Sequence, residues 1–413
     1  MKSLDDQLLA PDGSGATTIS RSYSDRTCSA EETLKRVTPF LSLYGITRVS
    51  RLTGLDNIGV PVWSAVSPNA RSIAVHHGKG ITDVDARVSA TMEALERAIA
   101  GNPPIDTVTA TRTSLLASGN AVESLNGLIG RGQPDITDEE TIEWVRGFDV
   151  LSAVDTWVPR DAALLDRTSD TNRFWQSSDG LASGNTLEEA ILHGVLERIE
   201  RDAETLWNIA AEEHRLGACC DPLSFQDPVI DDIAARIDRA GLTLRLFDIS
   251  SDIGIPCFAA FLAPVSIETM NHSRYVDVTK GTGAHADPVR ATIRAMTEAI
   301  QSRLTHISGA RDDMYPEIFA RPLSRELRNY FNARPLPRRF PKGTCSGRLE
   351  LMIDNVLESL RIRSIESVIV VRLTPPDFPF AVAKVFVPDL ENPEGNRKRR
   401  FGARAISKAL FSL

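Results

Sequence analysis

The sequence predicts an α/β or α+β fold in which mixed or antiparallel sheets are flanked by long helices. Two observations support this class: short apolar segments typical of strands recur along the 413 residues, and three long amphipathic helical runs are interspersed with them. A chain of this length exceeds one simple core, which predicts two or three subdomains. The 42% hydrophobic and 25% charged residues are typical of a soluble globular protein.

Charge and cysteine content exclude several functional classes. The net charge of -8 argues against a nucleic-acid partner, because such partners are bound through basic phosphate contacts. The N-terminus lacks a secretory signal, and the longest apolar stretch, Ile255–Val265, is too short to span a membrane. Five scattered cysteines without a Cys-x-x-Cys pair indicate a reducing cytoplasm. We expect Cys219 and Cys220 to be loop residues rather than metal ligands.

The N-terminal third contains an arm, a helix, two strands and a long helix. Residues 1–28 are rich in Ser, Thr, Asp and Gly and predict a flexible arm. Ser29 is a good helix N-cap, and Glu32 occupies the capping-box position of the helix that follows. Further along, the patterns predict strands at 46–53 and 60–68 and a long helix over Asp83–Ala100.

The remaining chain contains the strongest helical run, which opens after Gly184, and a third long helix that begins at Pro288. The segment 332–347 is rich in Pro, Arg and Gly and predicts a lid or a connector. We see no solenoid-type repeat. Further elements are predicted as strands at 243–250, 256–264, 367–373 and 380–388 and as a helix at Leu349–Ile362.

Each long helix gathers its polar groups on one face. A helix advances about 100° per residue, so residues three, four, seven or eight positions apart share a side. In each run the complementary side is an apolar stripe, as expected for a helix that packs on a core. The shared faces comprise Ser89, Glu93 and Glu96 in the first run, Asn185, Glu189, Glu197 and Glu200 in the second, and Arg294, Glu298 and Gln301 in the third.

A solvated outer surface is the ordinary explanation for such faces. However, residues 89–100 and 185–201 contain no Lys, although solvated helices usually pair Lys with Glu. Carboxylates that converge from different helices repel one another unless cations neutralise them, and oxygen ligands of this kind suit Mg²⁺. Arginine forks suit phosphate oxygens, which makes Arg97, Arg201 and Arg294 candidates for binding phosphate.

Other phosphate-binding and catalytic motifs are absent. "HHGKGIT" is not a P-loop, because Ile73 stands in place of the first glycine and Gly80 in place of Ser or Thr. No Gly-x-Ser-x-Gly elbow occurs, so we do not expect a serine hydrolase. A lone His285 is expected to be structural.

The three helical segments together resemble the YcaO family. "SATMEALER" fits the family's Ser-x-x-x-Glu-x-x-Glu-Arg motif, "NTLEEAILHGVLERIERDA" fits its second motif, and "IRAMTEAIQSRLTHISGARDD" resembles its third helix. The resemblance extends over roughly Arg26–Glu391. It implies a YcaO domain at 29–391 with two or three intertwined subdomains, and a C-terminal tail at 392–413 without the Pro-x-Pro-x-Pro ending of many members.

This resemblance implies a non-P-loop ATP site between Glu-rich helices, with ATP and Mg²⁺ as cofactors. No side chain is implied as a covalent catalyst, because the protein contributes positioning and charge stabilisation. The implied ligands of Mg²⁺ or its waters are Glu93, Glu96, Glu189, Glu197, Glu200 and Glu298. The implied nucleotide contacts are Arg26, Ser89, Asn185, Arg201 and Arg294.

The implied activity is ATP-dependent activation of a backbone amide in a ribosomally made precursor peptide. A nucleophile adds to the carbonyl, the oxyanion is phosphorylated and phosphate leaves. An internal Cys, Ser or Thr gives an azoline, whereas external sulfide gives a thioamide. The segment 31–72 resembles stand-alone members encoded beside a TfuA protein, and the tail lacks the Pro-x-Pro-x-Pro ending of many azoline-forming members; both favour thioamide formation. An azoline-forming cyclodehydratase and a non-catalytic ATP-binding scaffold are the alternatives. A TfuA-like or leader-binding partner is expected, and a homodimer is left open.

Overall fold

The computed structural model describes residues 23–169, 172–340, 348–392 and 401–411. Within these ranges it is a mixed α+β fold, which confirms the predicted class. The strands are β1 (Arg48–Arg51), β2 (Val62–Val66), β3 (Val75–Lys79), β4 (Thr107–Ala110), β5 (Ala121–Val122), β6 (Ile142–Asp149), β7 (Val154–Pro159), β8 (Leu181–Gly184), β9 (Cys219–Cys220), β10 (Leu242–Asp248), β11 (Cys257–Pro264), β12 (Thr279–Ala284), β13 (Ile369–Arg372) and β14 (Ala381–Phe386).

These strands form three sheets. The first has the order β1-β2-β3, and the second has the order β12-β11-β10-β9. The third has the order β5-β7-β6-β13-β14-β8, with β4 also paired to β6. All pairings are antiparallel except that of β5 with β7. Three edge strands, β3, β8 and β12, therefore each pair on one side only.

Three helices are much longer than the others. They are α2 (Asp83–Gly101), α5 (Leu187–Asn208) and α8 (Pro288–Ser308). The shorter helices are α1 (Ala30–Val37), α3 (Arg112–Ala117), α4 (Arg160–Ala163), α6 (Glu212–Gly217), α7 (Pro228–Arg239), α9 (Glu317–Ala320), α10 (Arg325–Asn332), α11 (Leu349–Ile362) and α12 (Ala403–Phe411). In the part of the chain described by the structure, none of the helices has the length and apolar character required to cross a bilayer.

Each long helix directly follows one of the three edge strands. β3 leads into α2, β8 into α5 and β12 into α8. The N-caps are Thr82, Thr186 and Asp287, and each side chain accepts a hydrogen bond from a backbone N–H in the first turn. One strand–turn–helix unit therefore occurs three times, a relationship that the sequence patterns did not reveal.

Glycines allow each of these helices to lie directly on its strand. A Cβ on Gly78 of β3 would lie 1.9 Å from the backbone nitrogen of Ala90 in α2. A Cβ on Gly281 of β12 would lie 2.2 Å from the backbone nitrogen of Ala299 in α8. Since no side chain fits at either position, the small residues determine how closely helix and strand approach.

The central helix α5 is buried over most of its length. Leu196, Ile199 and Ala203 are at most 1% exposed and belong to the largest hydrophobic cluster. Trp207, near the end of the helix, stacks on Tyr330 with ring centroids 5.3 Å apart. Because α5 is packed on several sides, its carboxylates are held in place by the core.

The predicted elements agree with the structure except at two places. Cys219 and Cys220, predicted as loop residues, form the buried strand β9 paired with β10, so that prediction was wrong. The helix capped by Ser29 ends at Val37 and continues as a 3-10 turn, because Pro39 has no N–H for the next helical hydrogen bond. The third helix and the helix at Leu349–Ile362 begin and end as predicted.

The close helix–strand contact makes Gly78 intolerant of even a methyl group. We expect Gly78→Ala to lower the free energy of unfolding by about 3 kcal/mol or more, since the clash involves backbone atoms that cannot move independently. Gly217→Ala is the matched control, because no atom lies within 4 Å of the position of its added Cβ. Urea unfolding followed by circular dichroism measures both. Equal stability of the two variants would contradict this packing account.

Candidate functional site

The free edge of β12 provides hydrogen-bond donors to carboxylates from two helices. The backbone N–H of Thr282 donates to Glu298 Oε1 at 3.3 Å, and that of Ala284 donates to Glu200 Oε2 at 3.0 Å. The hydroxyl of Thr282 also donates to Glu200 Oε1 at 2.6 Å. Groups that would be unpaired at a sheet edge are thus used to hold the carboxylates of α5 and α8.

The edge at β8 holds a second pair of carboxylates in the same way. The Ser183 hydroxyl donates to Glu96 Oε2 of α2 at 2.9 Å. The N–H of Gly180, directly before β8, donates to Glu197 Oε2 of α5 at 3.1 Å. These contacts bring α2 and α5 to the same strand edge.

The third edge, β3, contacts α8. Lys79 Nζ lies 2.6 Å from Glu298 Oε2, and the side-chain amide of Gln301 donates to the carbonyl of His77 at 2.9 Å. Three strand edges and three helices therefore converge on one region.

The carboxylates occur at the same distance from each N-cap. Glu93, Glu197 and Glu298 lie eleven residues after Thr82, Thr186 and Asp287 respectively. Glu96, Glu200 and Gln301 lie fourteen residues after the same caps. Two of these segments, Glu93–Arg97 and Glu197–Arg201, share the pattern Glu-x-x-Glu-Arg. They occupy equivalent positions in two of the three strand–turn–helix units.

The carboxylates of this site lie close together and are buried, so ionising all of them at once costs free energy. Burial and the neighbouring charges of Glu93 and Glu197 raise the pKa of Glu96 to about 8. Burial, Asp179 and Glu200 raise the pKa of Glu197 to about 7, against the opposing effect of Arg201. The pKa of Glu200 is also raised, by burial and by Glu298. The site therefore carries more acid than its own cations neutralise.

Arg201 is the central cation of this acidic cluster. Its guanidinium lies 3.6 Å from Asp179, Glu197 and Glu200 and 3.1 Å from Glu204. These acids raise the pKa of Arg201 well above its usual value despite burial. Its predicted role as a nucleotide contact stays a prediction, and the structure adds the role of internal counter-ion.

Glu93 and Glu298 are ionised members of the cluster. Burial raises the pKa of Glu93, but Arg97, at 3.0 Å, and other neighbouring positive groups outweigh it and leave the pKa low. Lys79 and Arg201 likewise outweigh burial and lower the pKa of Glu298. Both side chains are more than a quarter exposed, so a ligand can reach them.

Glu189 differs from the other predicted metal ligands, because protein donors already surround it. Thr27, Asn185 and Arg26 all donate hydrogen bonds to its carboxylate, which is 1% exposed. Burial raises its pKa, but Arg26 and these hydrogen bonds lower it overall. Asn185 accepts a hydrogen bond from the hydroxyl of Thr33 at 2.8 Å. Glu189 therefore anchors the segment 23–28 to α5, and its role as a metal ligand stays a prediction.

A basic region adjoins the acidic cluster. Arg294 of α8 donates to the carbonyl of Ala284 at 3.2 Å, and burial, Arg26 and Arg290 lower its pKa to about 10. Arg26 is 37% exposed at its side chain and lies close to His193 of α5. Positive charge that its surroundings do not fully neutralise suits an anionic ligand such as phosphate.

Asp25 joins the basic region to the start of α8. It forms an ion pair with Arg290 and lies 2.7 Å from His285 Nε2. The N–H of Asp287 donates to His285 Nδ1, and burial together with Arg294 lowers the pKa of His285 to about 3. His285 is therefore a neutral structural residue, as expected.

The donor set fits Mg²⁺ that is shared with a phosphate ligand. Within the described ranges, no three His, Cys, Asp or Glu side chains form a ready-made metal cage. Mg²⁺ is usually held by one or two carboxylates together with waters and substrate phosphates rather than by an all-protein cage. Such an arrangement is provided beside Arg294 by the partly exposed Glu93, Glu197 and Glu298 together with the buried Glu200.

Several site residues were missed by the sequence patterns. Lys79 was set aside together with the rejected P-loop, although it is the last residue of β3 and lies three residues before Thr82, the N-cap of α2. Lys280 of β12 pairs with Glu204 at 2.6 Å and, with Arg201, lowers the pKa of Glu204 to about 2 despite burial. Equal spacing from the three N-caps is the signal that could have identified His193. The remaining missed residues are Asp25, Asp179, Ser183 and Thr282.

Ser89, half-buried on α2, completes the set of predicted nucleotide contacts on the converging faces. The predicted N-terminal arm, 1–28, lies outside the described residues as far as residue 22. The rest of it, 23–28, has no helix or strand but is tied to the site through Asp25 and Arg26. Of the predicted lid segment 332–347, residues 341–347 lie outside the described residues, and Cys345 is one of them. The tail segment 393–400 also lies outside them.

Together, the fold and the carboxylate cluster define an α+β protein whose acidic site is not a P-loop. The chain belongs to the YcaO family: a family model described as YcaO cyclodehydratase, ATP- and Mg²⁺-binding, matches residues 77–391. This description confirms the cofactors expected from the sequence motifs. An uncharacterised protein in the tfuA 3′ region of Rhizobium leguminosarum bv. trifolii is 39% identical over 395 residues, which cover 93% of each chain.

Solved structures agree on the fold. A heterocyclase in complex with substrate and cofactor superposes with a TM-score of 0.74 at 22% identity, covering 91% of this chain and 54% of that one. The chain thus spans about half the length of that heterocyclase. YcaO from Methanopyrus kandleri, bound with AMPPCP and Mg²⁺, has a TM-score of 0.69 at 21% identity, covering 91% and 94% of the two chains.

Raised pKa values predict that two of the carboxylates destabilise the ligand-free protein at high pH. A carboxyl whose pKa rises from about 4.5 in the unfolded chain to about 8 in the folded one loses stability as pH increases through that interval. We expect Glu96→Gln and Glu197→Gln to raise the free energy of unfolding by about 1 kcal/mol or more at pH 8.5 and by a smaller amount at pH 5.5. Thermal unfolding with a metal chelator present measures this.

The matched control is Glu93→Gln. Because its pKa is lowered and it pairs with Arg97, this variant should lose stability at pH 5.5 and at pH 8.5 alike. Loss of stability in all three variants at pH 8.5 would show that Glu96 and Glu197 are ordinary paired acids.

Proposed function

We propose that this protein uses ATP and Mg²⁺ to activate a backbone amide of a ribosomally synthesised precursor peptide. The observation that carries the proposal is the convergence of carboxylates from α2, α5 and α8, some with lowered and some with raised pKa values, beside a basic region. In this proposal the hydroxyls of Ser183 and Thr282 hold carboxylates in place, and the chemistry of the site is positioning and charge stabilisation of phosphoryl transfer.

The acidic and basic regions have separate tasks in this proposal. Glu93, Glu197, Glu200 and Glu298 hold divalent cation, which when bound supplies the positive charge that the cluster lacks and neutralises phosphate oxygens. Arg294 contacts the phosphates from the basic side. Arg201 keeps the carboxylates of α5 in position by pairing with several of them at once.

The remaining predicted ligands support these regions. Glu96 accepts a hydrogen bond from the Ser183 hydroxyl. A bound cation would lower the raised pKa of Glu96 and so favour its ionised form. Arg26, Asn185 and Glu189 connect the segment 23–28 to the nucleotide side of the site. Ser89 lies on the same face of α2 as Glu93 and contacts nucleotide from there.

The proposed reaction transfers the oxygen of the amide carbonyl to the phosphate that is released. A nucleophile adds to the amide carbonyl carbon, and the resulting oxyanion takes the γ-phosphoryl group of ATP, releasing ADP. The carbon–oxygen bond then breaks and phosphate leaves, while one proton is lost, from sulfur when a thioamide forms and from the amide nitrogen when an azoline forms. With sulfide as the nucleophile the product is a thioamide, and with a neighbouring Cys, Ser or Thr side chain it is an azoline.

We infer that the protein follows the thioamide branch. The support is the 39% identical relative in a tfuA 3′ region, together with the resemblance of the N-terminal segments to TfuA-associated members. A TfuA-like protein is accordingly the proposed partner, and an azoline-forming cyclodehydratase is the alternative that the product distinguishes. A cytoplasmic location is part of this proposal, because the five scattered cysteines contain no Cys-x-x-Cys pair.

Cation and nucleotide should bind together rather than separately. We expect a non-hydrolysable ATP analogue with Mg²⁺ to stabilise the protein by about 2–3 kcal/mol at roughly a hundredfold excess over its Kd, and Mg²⁺ alone to have little effect. Glu200→Gln should remove the stabilisation, whereas Glu213→Gln, exposed on α6, should retain it. The thermal shift measures each case. Stabilisation of Glu200→Gln equal to wild type would contradict the assignment.

The product decides the reaction. Coexpression with its precursor peptide and partner should give a peptide heavier by about 16 Da, the exchange of oxygen for sulfur in a thioamide, whereas loss of about 18 Da would indicate an azoline. Glu93→Gln should remain folded and leave the peptide unmodified. The variant lacks one proposed ligand of the cation that neutralises the phosphate oxygens during phosphoryl transfer. An unmodified peptide with wild-type protein and no ATP consumption would favour the scaffold alternative.

A further inference from the structure

His193 occupies a position in the site that has no assigned role. It lies seven residues after the N-cap Thr186, as Ser89 does after Thr82 and Arg294 after Asp287. This position precedes Glu93, Glu197 and Glu298 by one helical turn in the respective units and shares their face. Because Ser89 and Arg294 are both proposed nucleotide contacts, the third equivalent residue is placed to contact the same ligand.

A hydrogen bond determines which nitrogen of His193 carries the proton. Arg26 Nη2 lies 3.3 Å from His193 Nδ1, and a guanidinium can only donate. Nδ1 therefore accepts, and the proton of the neutral ring is on Nε2. Arg26 is itself held at 3.1 Å by Glu189 and at 3.0 Å by the carbonyl of Ser183, so the orientation of the imidazole is built into the fold.

The surroundings of His193 are cationic. Burial together with Arg26, Arg294 and Lys79 holds the pKa of His193 well below its usual value, so the ring is neutral. Among the described residues, no protein group forms a hydrogen bond with Nε2, and this nitrogen is not one of the enclosed unpaired atoms. A neutral N–H donor in a positive region is suited to an anionic oxygen acceptor.

We propose that His193 donates its Nε2 hydrogen to a phosphate oxygen of the bound nucleotide. This inference rests on the proposed function, since it requires ATP in the site between the three helices. Glu197 lies one turn further along the same face and is a candidate ligand of Mg²⁺, which bridges carboxylates to phosphates. Phosphate oxygens are consequently expected within about 5 Å of this turn, the rise of one helical turn.

Two substitutions separate the two nitrogens of the ring. His193→Asn keeps an acceptor near the position of Nδ1 for Arg26 but provides no donor at the position of Nε2. His193→Gln extends an amide donor towards the Nε2 position. We expect Asn to weaken binding of a magnesium complex of a non-hydrolysable ATP analogue about 10-fold or more, and Gln to restore it to within about threefold of wild type. Isothermal titration calorimetry measures the Kd values, and thermal unfolding without ligand checks the fold.

The outcomes distinguish this role from a structural one. Weakened binding in Asn, recovery in Gln and unchanged melting temperatures support donation to phosphate. Wild-type affinity in Asn, or equal weakening in both variants with lowered melting temperatures, overturns it while leaving the proposed function intact. Failure of the wild-type protein to bind the analogue overturns the proposed function and this inference with it.

Discussion

Mutual repulsion among carboxylates at the meeting point of three sheet edges is the constraint on which the rest of the site depends. The fold reduces this repulsion in two ways. Backbone N–H groups of β12 and the turn before β8 donate to Glu200, Glu298 and Glu197, which uses edge groups that would otherwise be unpaired. Arg201 and Lys79 neutralise part of the charge. The repulsion that is not neutralised raises the pKa values of Glu96 and Glu197.

Three copies of one strand–turn–helix unit produce this convergence. In each copy a strand with a free edge leads through a short turn to a capped helix, and glycines at Gly78, Gly184 and Gly281 let helix and strand approach closely. Because Glu93, Glu197 and Glu298 each lie eleven residues after the N-cap, they occupy the same position along their respective helices. The copies differ in the residue seven positions after the cap, which is Ser89, His193 or Arg294.

The sequence predicted what depends on local periodicity. Helical facing identified the carboxylate sets, and the bounds of α8 and α11 followed from Pro288 and from the apolar pattern. Contacts between distant segments were beyond such patterns: Asp25 meets His285 across 260 positions. Lys79 was overlooked because its Gly-Lys context was tested only as a P-loop. The buried pair Cys219–Cys220 was misassigned because two residues are too few to show strand periodicity.

A crystal structure with Mn²⁺ and a non-hydrolysable ATP analogue is the most direct test of the central claim that the three helices form one cation–nucleotide site. Anomalous scattering locates the metal independently of the nucleotide. The account predicts metal between the carboxylates of Glu197, Glu200 and Glu298, with phosphates towards Arg294. Metal and nucleotide bound elsewhere, for example in the cavity of about 670 Å³ lined by Trp207 and Arg404, would contradict it.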